Sequence, residues 1–151
     1  MLGWQLLVRY FPADPAGASM AVRLGLGCAA LLPGAAVLAL MVLGQMALRL
    51  AAGIADPIAG RETRWLLVNQ RVISNTVEQF AIFTPALLAL SAGVTAARMG
   101  EVTALGVVFA AARLVFWAGY LIAPIGRAVG MAATLVATIS ALGAAAWFWV
   151  H

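Results

Sequence analysis

Long apolar stretches separated by short polar segments run along the whole chain. Residues 24–48, 79–97 and 128–150 carry no charged side chain, and residues 102–122 carry only Arg113. A membrane-spanning helix needs about 20 apolar residues, so each stretch can cross a bilayer. The pattern therefore predicts an all-α membrane protein, a bundle of four transmembrane helices. We expect these helices at about 22–50, 63–97, 102–122 and 126–150.

The chain before the first span differs from the rest. Residues 1–20 mix apolar and aromatic side chains with Gln5 and Arg9 and contain two prolines. This mixture is typical of a short helix lying at the membrane interface, and an ordered tail is the alternative. The predicted organisation is thus an N-terminal interfacial segment at 1–20, followed by a four-helix transmembrane domain at 21–151.

Polar residues, glycine and proline mark the connections between the spans. Residues 51–62 read as a polar loop, and residues 123–126 as a helix break. Between the second and third spans we expect a tight turn formed by Arg98, Gly100 and Glu101. The connections are short, so the 151 residues leave no room for a separate soluble domain.

Composition excludes several other classes of protein. The chain is 65% hydrophobic and carries 9 basic and 5 acidic residues, too few to cover the surface of a small soluble globule. The arginines are scattered, so the net charge of +4 does not indicate a nucleic-acid partner. Cys28 is the single cysteine, which excludes an intrachain disulfide and a cysteine zinc site. We expect no metal site and regard Cys28 as packing filler.

Arginines near the helix ends indicate an orientation. Four spans place both termini on one side of the membrane. The side with the first and third loops has slightly more arginines, which favours cytoplasmic loops and outward-facing termini. These arginines are Arg49, Arg61, Arg64 and Arg127, against Arg9, Arg23 and Arg98 on the other side. We expect an integral, multi-pass protein of a bacterial inner membrane.

Polar residues on the second span carry the candidate chemistry. At 100° per residue, Arg64, Arg71, Asn75 and Glu78 fall within about 60° of one another and form a stripe. A charged side chain at membrane depth costs at least about 2.5 kcal/mol, so a stripe that faces lipid is untenable. We therefore expect these side chains to turn inward and pair with each other, with Arg113 or with a polar ligand.

Periodicity alone leaves the purpose of the stripe open. In a structural interpretation, Glu78 forms a buried ion pair with Arg71 or Arg113, and Asn75 bonds a neighbouring helix. In a functional interpretation, the arginines bind an anionic ligand, while Asn75 and Glu78 meet its amide or amine groups. A transporter or proton relay built on Glu78 and Arg113 is a third hypothesis, disfavoured because four short spans without a repeat offer little for alternating access.

A second group of polar residues lies on the third and fourth spans. Arg113 and Tyr120 are seven residues apart and share a helix face, with Phe116 between them. Arg127 stands at the first turn of the fourth span. A tyrosine and an arginine that converge at a helix end could bond a thiol or a carboxylate, or could anchor the helices at the interface.

The order of these residues resembles the MAPEG family, membrane-associated proteins of eicosanoid and glutathione metabolism. The stretch from Arg71 to Phe83 is similar to the family's second-helix signature: an arginine, an asparagine four residues later, a glutamate three later, and then aromatics. The arginine and tyrosine on the third span, the short break and the arginine opening the fourth follow in the family's order. The resemblance covers all four spans and leaves the N-terminal twenty residues extra.

The resemblance implies a homotrimer that holds glutathione between neighbouring subunits near the cytoplasmic face. By carry-over, Arg71, Asn75 and Glu78 would hold the carboxylates, amides and amine of the tripeptide. Arg113 would belong to the same binding set. An apolar electrophile would arrive from the lipid phase, so membrane lipid and a lipophilic small molecule are the expected partners.

The resemblance also implies roles for three further residues. Tyr120 matches a family tyrosine that contacts glutathione, and Arg127 matches the arginine thought to stabilise the thiolate. Arg49, at the end of the first span, occupies roughly the place of another family arginine and would be catalytic with Arg127. A guanidinium beside a thiol favours the thiolate, which is the nucleophile.

Departures from the family pattern keep two classes of function open. The signature has lost polar contacts, as has the third span, where Phe116 replaces a polar residue of many glutathione-using members. Other departures are Val72, Ile73, Ala81 and Met131. The first hypothesis is a glutathione-dependent transferase or peroxidase acting on a lipophilic electrophile. The alternative is a non-catalytic scaffold or accessory subunit of a larger membrane complex.

Small residues favour close helix packing on either hypothesis. Gly126 and Gly130 form a small-xxx-small pair at the head of the fourth span. Such a pair lets two helix backbones approach closely, either between subunits or within one subunit. The sequence leaves both uses open.

Overall fold

The structure is a computed structural model that describes residues 2–10, 19–54, 62–122 and 124–151. Every regular element in these ranges is helical. A single turn of 3₁₀ helix at Ala96–Arg98 precedes the fourth α-helix counted from the N-terminus. The α-helices are α1 (Leu2–Arg9), α2 (Met20–Ala51), α3 (Arg64–Gly93), α4 (Met99–Ile122) and α5 (Pro124–Val150).

Helices α2 to α5 are the four predicted membrane spans. Each is long and apolar enough to cross a bilayer, which confirms the all-α, four-helix class of fold. The N-terminal segment contains a short helix, α1, that packs against α4. Its position at the membrane interface stays a prediction.

Side-chain caps and glycine define several helix ends. Ser19 caps α2 by accepting a hydrogen bond from Val22 N at 3.4 Å, and Thr63 caps α3 by accepting from Leu66 N at 3.4 Å. After α2, Gly53 has a φ of 64°, a left-handed conformation that a residue with a Cβ rarely adopts. Gly53 lies in the loop predicted at 51–62, whose first residue belongs to α2 and whose residues 55–61 lie outside the described residues.

The turn between α3 and α4 differs from the sequence prediction. Helix α3 ends at Gly93 instead of about 97, and α4 begins at Met99 instead of 102. Gly100 and Glu101, expected in a tight turn, are therefore helical. Glu101 forms an ion pair with Arg98 at 2.7 Å across this first turn, where an acidic side chain also complements the helix dipole.

The break before the last helix is also shorter than predicted. The sequence suggested a break over 123–126, but α5 already begins at Pro124. Proline is favoured at the first position of a helix because that position makes no use of a backbone N–H. Residue 123 lies outside the described residues.

The four long helices form a closed ring in cross-section. Helix α2 packs against α3 and α4, and α5 packs against the same two helices, so α2 and α5 lie diagonally opposite. Alternating chain direction brings the end of α2, the start of α3, the end of α4 and the start of α5 together. We call this end of the bundle the first-loop end, and the opposite end the terminal end.

Aromatic rings and glycines fill the interior. The rings of Phe83 and Phe109 stack with centroids 4.3 Å apart in a core of buried aliphatic side chains. A Cβ at Gly130 would collide with the backbone of Phe116, and one at Gly119 with the backbone at Arg127. Gly130, with Gly126 beside Gly119, therefore serves packing between α4 and α5 within one subunit.

Two further observations concern α2. Cys28 is exposed, so its expected use as interior filler is wrong. In contrast, Gln45 is buried and bonds the amide of Asn69, whose Nδ2 donates to Gln45 Oε1 at 2.9 Å and to the Met41 carbonyl at 3.1 Å. Trp117 Nε1 on α4 donates to Asn69 Oδ1 at 2.9 Å. One amide thus joins α2, α3 and α4.

Candidate functional site

The predicted polar stripe of α3 divides into an inner and an outer part. Asn75 is half-buried and contacts α4, where its partner Arg113 is fully buried. Arg71 and Glu78 are exposed on the surface of the single chain, as is Arg64. The side chains that α3 turns into the bundle are a different set: Leu66, Asn69, Val72, Thr76, Gln79 and Phe83.

Arg113 is held by protein atoms on nearly every side. Its Nη2 donates to Asn75 Oδ1 at 3.0 Å and to Thr76 Oγ1 at 2.8 Å, and its Nε donates to Thr76 Oγ1 at 3.2 Å. Its guanidinium carbon lies 3.9 Å from the ring centroid of Phe116, a cation–π distance. Only Nη1 lacks a partner in the described part of the chain. The inward pairing of Asn75 with Arg113 is thus present.

Thr76 completes this link, and sequence reasoning missed it. Its hydroxyl donates to the Val72 carbonyl one turn earlier at 2.7 Å, which turns its lone pairs toward Arg113. The sequence offered one signal for this role: Thr76 directly follows Asn75 and lies about 100° further round α3. A threonine inside a transmembrane helix most often bonds its own backbone, so this signal is weak.

Arg71 and Glu78 behave differently from the expected inward-facing pair. Neither forms a hydrogen bond or an ion pair with any described residue. The predicted ion pair of Glu78 with Arg71 or Arg113 is absent there, because Val72, Thr76 and other α3 side chains already occupy the inward face. Two opposite charges, about 10.5 Å apart along α3, thus have no partner among the described residues, although they lie on a membrane-spanning helix.

A polar cavity lies at the first-loop end, where the stripe begins at Arg64. It has a volume of about 350 Å³ and is formed by three helices: Arg64 comes from α3, Tyr120 from α4 and Arg127 from α5. The Arg127 guanidinium lies 5.1 Å from the ring centroid of Tyr120. Val68, Gly119, Leu121 and Ile122 complete the lining.

Stacked side chains connect this cavity with the buried arginine. The Tyr120 ring meets the Phe116 ring edge to face at 5.1 Å, and Phe116 lies against Arg113. The row runs from Arg127 through Tyr120 and Phe116 to Arg113 and then to Asn75. The structure therefore brings four of the seven candidate residues into one continuous set of contacts, with Arg71 and Glu78 beside it on α3.

Arg49 lies apart from this set within one chain. It forms an ion pair with Glu62 at 2.7 Å and joins the end of α2 to the residues that precede α3. It borders a separate cavity with Met46, Leu50 and Gly53 rather than the cavity of Tyr120 and Arg127. The single chain thus gives Arg49 a structural contact and no contact with the other candidate residues.

The fold and these contacts define a class of protein: a four-helix membrane bundle with a polar stripe on α3 and arginines at one end. The sequence profile of the MAPEG family matches residues 26–147, and the chain belongs to this family. It is therefore an integral, multi-pass membrane protein. No curated protein matches the chain.

Proposed function

We propose that this protein is a glutathione-dependent transferase or peroxidase that acts, as a homotrimer, on a lipophilic electrophile. The exposure of Arg71 and Glu78 on a membrane-spanning helix carries this proposal. Each charge would cost at least about 2.5 kcal/mol in contact with lipid, so both require a polar environment that the described part of the chain does not supply. A neighbouring subunit with a polar ligand between the two supplies it.

The polar groups beside these two charges suit glutathione. The tripeptide carries two carboxylates, an amine and two amides, which match an arginine, a glutamate and an asparagine respectively. Asn75 accepts from Arg113 through Oδ1, so its Nδ2 group stays available as a donor toward a ligand. Arg71 would hold a carboxylate, Glu78 the amine and Asn75 an amide carbonyl.

Arg127 and Tyr120 supply the remaining requirement, a cation near the thiol. Bound glutathione contributes the nucleophilic sulfur. The Arg127 guanidinium, positioned over the Tyr120 ring, favours the thiolate form of that sulfur. Lowering a thiol pKa by two units needs about 2.7 kcal/mol of differential stabilisation, which one or two guanidinium groups can provide in a cleft of low dielectric.

Binding of glutathione to the purified trimer tests this proposal. We expect saturable binding by calorimetry, accompanied by ultraviolet thiolate absorbance, and loss of binding in Arg71→Ala and Glu78→Ala. Arg98→Ala removes a guanidinium from the terminal end and is the matched control, which should bind like the wild type. If glutathione still binds to both Arg71→Ala and Glu78→Ala, the proposed site is wrong.

The buried contacts of Arg113 favour a second candidate function, a non-catalytic scaffold. Arg113 and Asn75 bond each other, and Thr76 completes the arrangement, so part of the family's ligand set serves helix packing here. A scaffold would form a stable trimer, or a subunit of a larger membrane complex, that is indifferent to glutathione. The same titration separates the two functions, since only the enzyme binds the tripeptide.

The distribution of arginines supports a cytoplasmic first-loop end. The structure places Arg49, Arg64 and Arg127 at this end, while Arg23 and Arg98 lie at the other. Positive residues near span ends favour the cytoplasmic side, where glutathione is also available to a site at Arg127. Labelling in intact cells of single cysteines introduced at positions 64 and 98, in a variant that carries Cys28→Ser, would report the orientation.

A further inference from the structure

A cavity of about 500 Å³ lies at the terminal end of the bundle, outside the proposed glutathione site. Helices α4 and α5 form most of its walls, and Trp4 of α1, a helix that packs against α4, also lines it. Arg98 and Glu101 contribute the charged part of the lining. With the exception of Ser140, the remaining lining side chains are apolar. The volume lies within the range of about 300–1,000 Å³ that is typical of ligand cavities.

The cavity runs along the helix axes from the terminal end toward the middle of the bundle. On α4 its lining extends from Glu101, in the first turn, to Val108, about 10.5 Å further along the axis. On the antiparallel helix α5 it extends from Ala144 to Ala133, about 16.5 Å in the same direction. The charged side chains therefore lie at the end of the spans, and apolar side chains line the deeper part. A bilayer phospholipid has the same polarity, with its head group at the surface and its acyl chains in the hydrocarbon core.

The ion pair at the mouth of the cavity has bonding capacity left on both partners. Arg98 donates from Nε to Glu101 Oε1 at 2.9 Å and from Nη2 to Glu101 Oε2 at 2.7 Å, so the pair does not use its Nη1 group. Each carboxylate oxygen of Glu101 accepts one of these bonds and can accept another. Both side chains are partly exposed. The mouth thus offers a donor for a phosphate and acceptors for an ammonium group side by side.

A zwitterionic head group fits this mouth better than a singly charged one. A phosphate alone would approach the Glu101 carboxylate, and an ammonium alone would approach the Arg98 guanidinium, so each would meet a like charge. A head group with both charges lets the phosphate bond Arg98 while the ammonium bonds Glu101. A helix of a second copy would need no such pair, and α1 already covers part of the cavity with Trp4. The charges thus favour a phospholipid over a protein partner.

We propose that this cavity binds one bilayer phospholipid whose head group carries a phosphate and a primary ammonium, and that the lipid is a structural component and not a substrate. The phosphate accepts from Arg98, the ammonium donates to Glu101, and one acyl chain lies along α4 and α5 toward Val108. No bond of the lipid is made or broken. The proposal is independent of the glutathione chemistry, because Arg98 and Glu101 lie at the opposite end of the bundle from Tyr120 and Arg127.

Native mass spectrometry of the full chain, released from a neutral detergent, tests the head-group preference. The delipidated protein is equilibrated with equal amounts of dioleoyl phosphatidylethanolamine, phosphatidylcholine and phosphatidylglycerol. Phosphatidylcholine has the same chains, phosphate and net charge as phosphatidylethanolamine, but its quaternary ammonium donates no hydrogen bond. We expect retention of phosphatidylethanolamine to exceed that of phosphatidylcholine at least about five-fold, the ratio that one hydrogen bond supplies. Phosphatidylglycerol, which has no cation, should be retained no better than phosphatidylcholine.

Substitutions at the mouth assign the preference to the ion pair. Glu101→Gln keeps the shape of the side chain but not its charge, and should reduce the ratio of phosphatidylethanolamine to phosphatidylcholine to less than about two-fold. Arg98→Gln should lower the retention of all three lipids, because all three carry a phosphate. Glu62→Gln, which breaks the ion pair with Arg49 at the first-loop end, is the matched control and should leave the ratio unchanged.

A substitution in the deeper part of the cavity tests the acyl chain independently. Ser140 lines the cavity and is exposed, so Ser140→Phe places a ring in the space of the chain without disturbing the core. It should reduce the retention of all three lipids at least about five-fold. Ile139→Phe adds a ring at the neighbouring exposed position, outside the lining, and should have no effect. An unaltered size-exclusion profile verifies that each variant is folded.

Several outcomes would overturn the proposal. It is wrong if phosphatidylcholine or phosphatidylglycerol is retained as well as phosphatidylethanolamine, or if Glu101→Gln keeps the preference. Equal lipid retention by Ser140→Phe and the wild type would place the lipid elsewhere. A change of oligomeric state in Ser140→Phe at unchanged lipid retention would assign the cavity to a second copy. A protein that keeps the lipid preference but does not bind glutathione would uphold the lipid site and reject the transferase.

Discussion

Nη2 of Arg113 on α4 lies 3.0 Å from Oδ1 of Asn75 on α3, so two residues that the family resemblance assigns to a ligand bond each other. Arg113 is fully buried and also bonds Thr76, which leaves it one free nitrogen among the described contacts. Arg113 therefore joins α4 to α3 and holds the Oδ1 atom of the Asn75 amide. Under the proposed function, Asn75 would donate to the ligand through Nδ2, and Arg113 would act through Asn75.

Removal of the Thr76 hydroxyl should destabilise the protein. Thr76→Val keeps the volume of the side chain but removes the acceptor of two Arg113 hydrogen bonds, 2.8 and 3.2 Å long. A buried charged donor without its partner costs about 1–3 kcal/mol or more. We expect a loss of that size in the free energy of unfolding, measured by denaturant titration in mixed micelles.

Thr138→Val on α5 is the matched control. Thr138 is almost as deeply buried as Thr76, but its hydroxyl has no partner among the described residues. Its removal should leave stability unchanged or raise it slightly, because an unsatisfied polar group is replaced by an apolar one. Equal losses in the two variants would show that the Thr76–Arg113 contact does not hold the helices together.

The sequence predicted the four spans and the residues of the polar stripe, but not the direction in which the stripe faces. Helical periodicity places Arg71, Asn75 and Glu78 on one side of α3, and the structure agrees. Whether that side meets the bundle or its surroundings depends on how α3 rotates against its neighbours. This rotation is set by the buried side chains, such as Val72 and Phe83. Apolar residues occur on several sides of α3, so the sequence does not show which side is buried.

Contacts between helices were equally inaccessible to sequence reasoning. Gln45, Asn69 and Trp117 lie far apart in the chain, and no regular spacing in the sequence links them. Only the register between α2, α3 and α4 brings them together. The α3–α4 turn was mispredicted for a local reason, because the ion pair of Arg98 and Glu101 stabilises a helical turn where charged residues suggested a loop.

Removal of the Asn69 amide should lower the free energy of unfolding by more than the loss of any single hydrogen bond in the bundle. Asn69→Leu removes contacts to Met41, Gln45 and Trp117, and polar contacts inside membrane proteins contribute about 0.6 kcal/mol each. We expect a loss of about 2 kcal/mol in the free energy of unfolding. Trp117→Phe removes one of the three bonds and should cost about a third as much. A smaller loss in Asn69→Leu than in Trp117→Phe would contradict this account.

The glycines of α5 should differ sharply in their tolerance of a side chain. Gly130→Ala places a methyl group against the backbone of Phe116, which forces α4 and α5 apart. Overpacking of this kind costs about 1–3 kcal/mol. A methyl group at Gly143 would meet no described atom within 4 Å, so Gly143→Ala should be neutral or stabilise the helix by up to about 1 kcal/mol. Thermal unfolding of both variants in one detergent checks the difference.

Arg127 should lower the pKa of the thiol of bound glutathione. A guanidinium near the sulfur stabilises the thiolate and not the thiol, so its removal raises the pH at which the thiolate forms. In Arg127→Ala we expect the midpoint of ultraviolet thiolate absorbance to rise by at least about one pH unit, which corresponds to about 1.4 kcal/mol. Arg127→Lys should give a smaller rise, and Arg98→Ala none. Glutathione that stays bound to Arg127→Ala with an unchanged midpoint would place the sulfur away from Arg127 and remove the cation from the proposed chemistry.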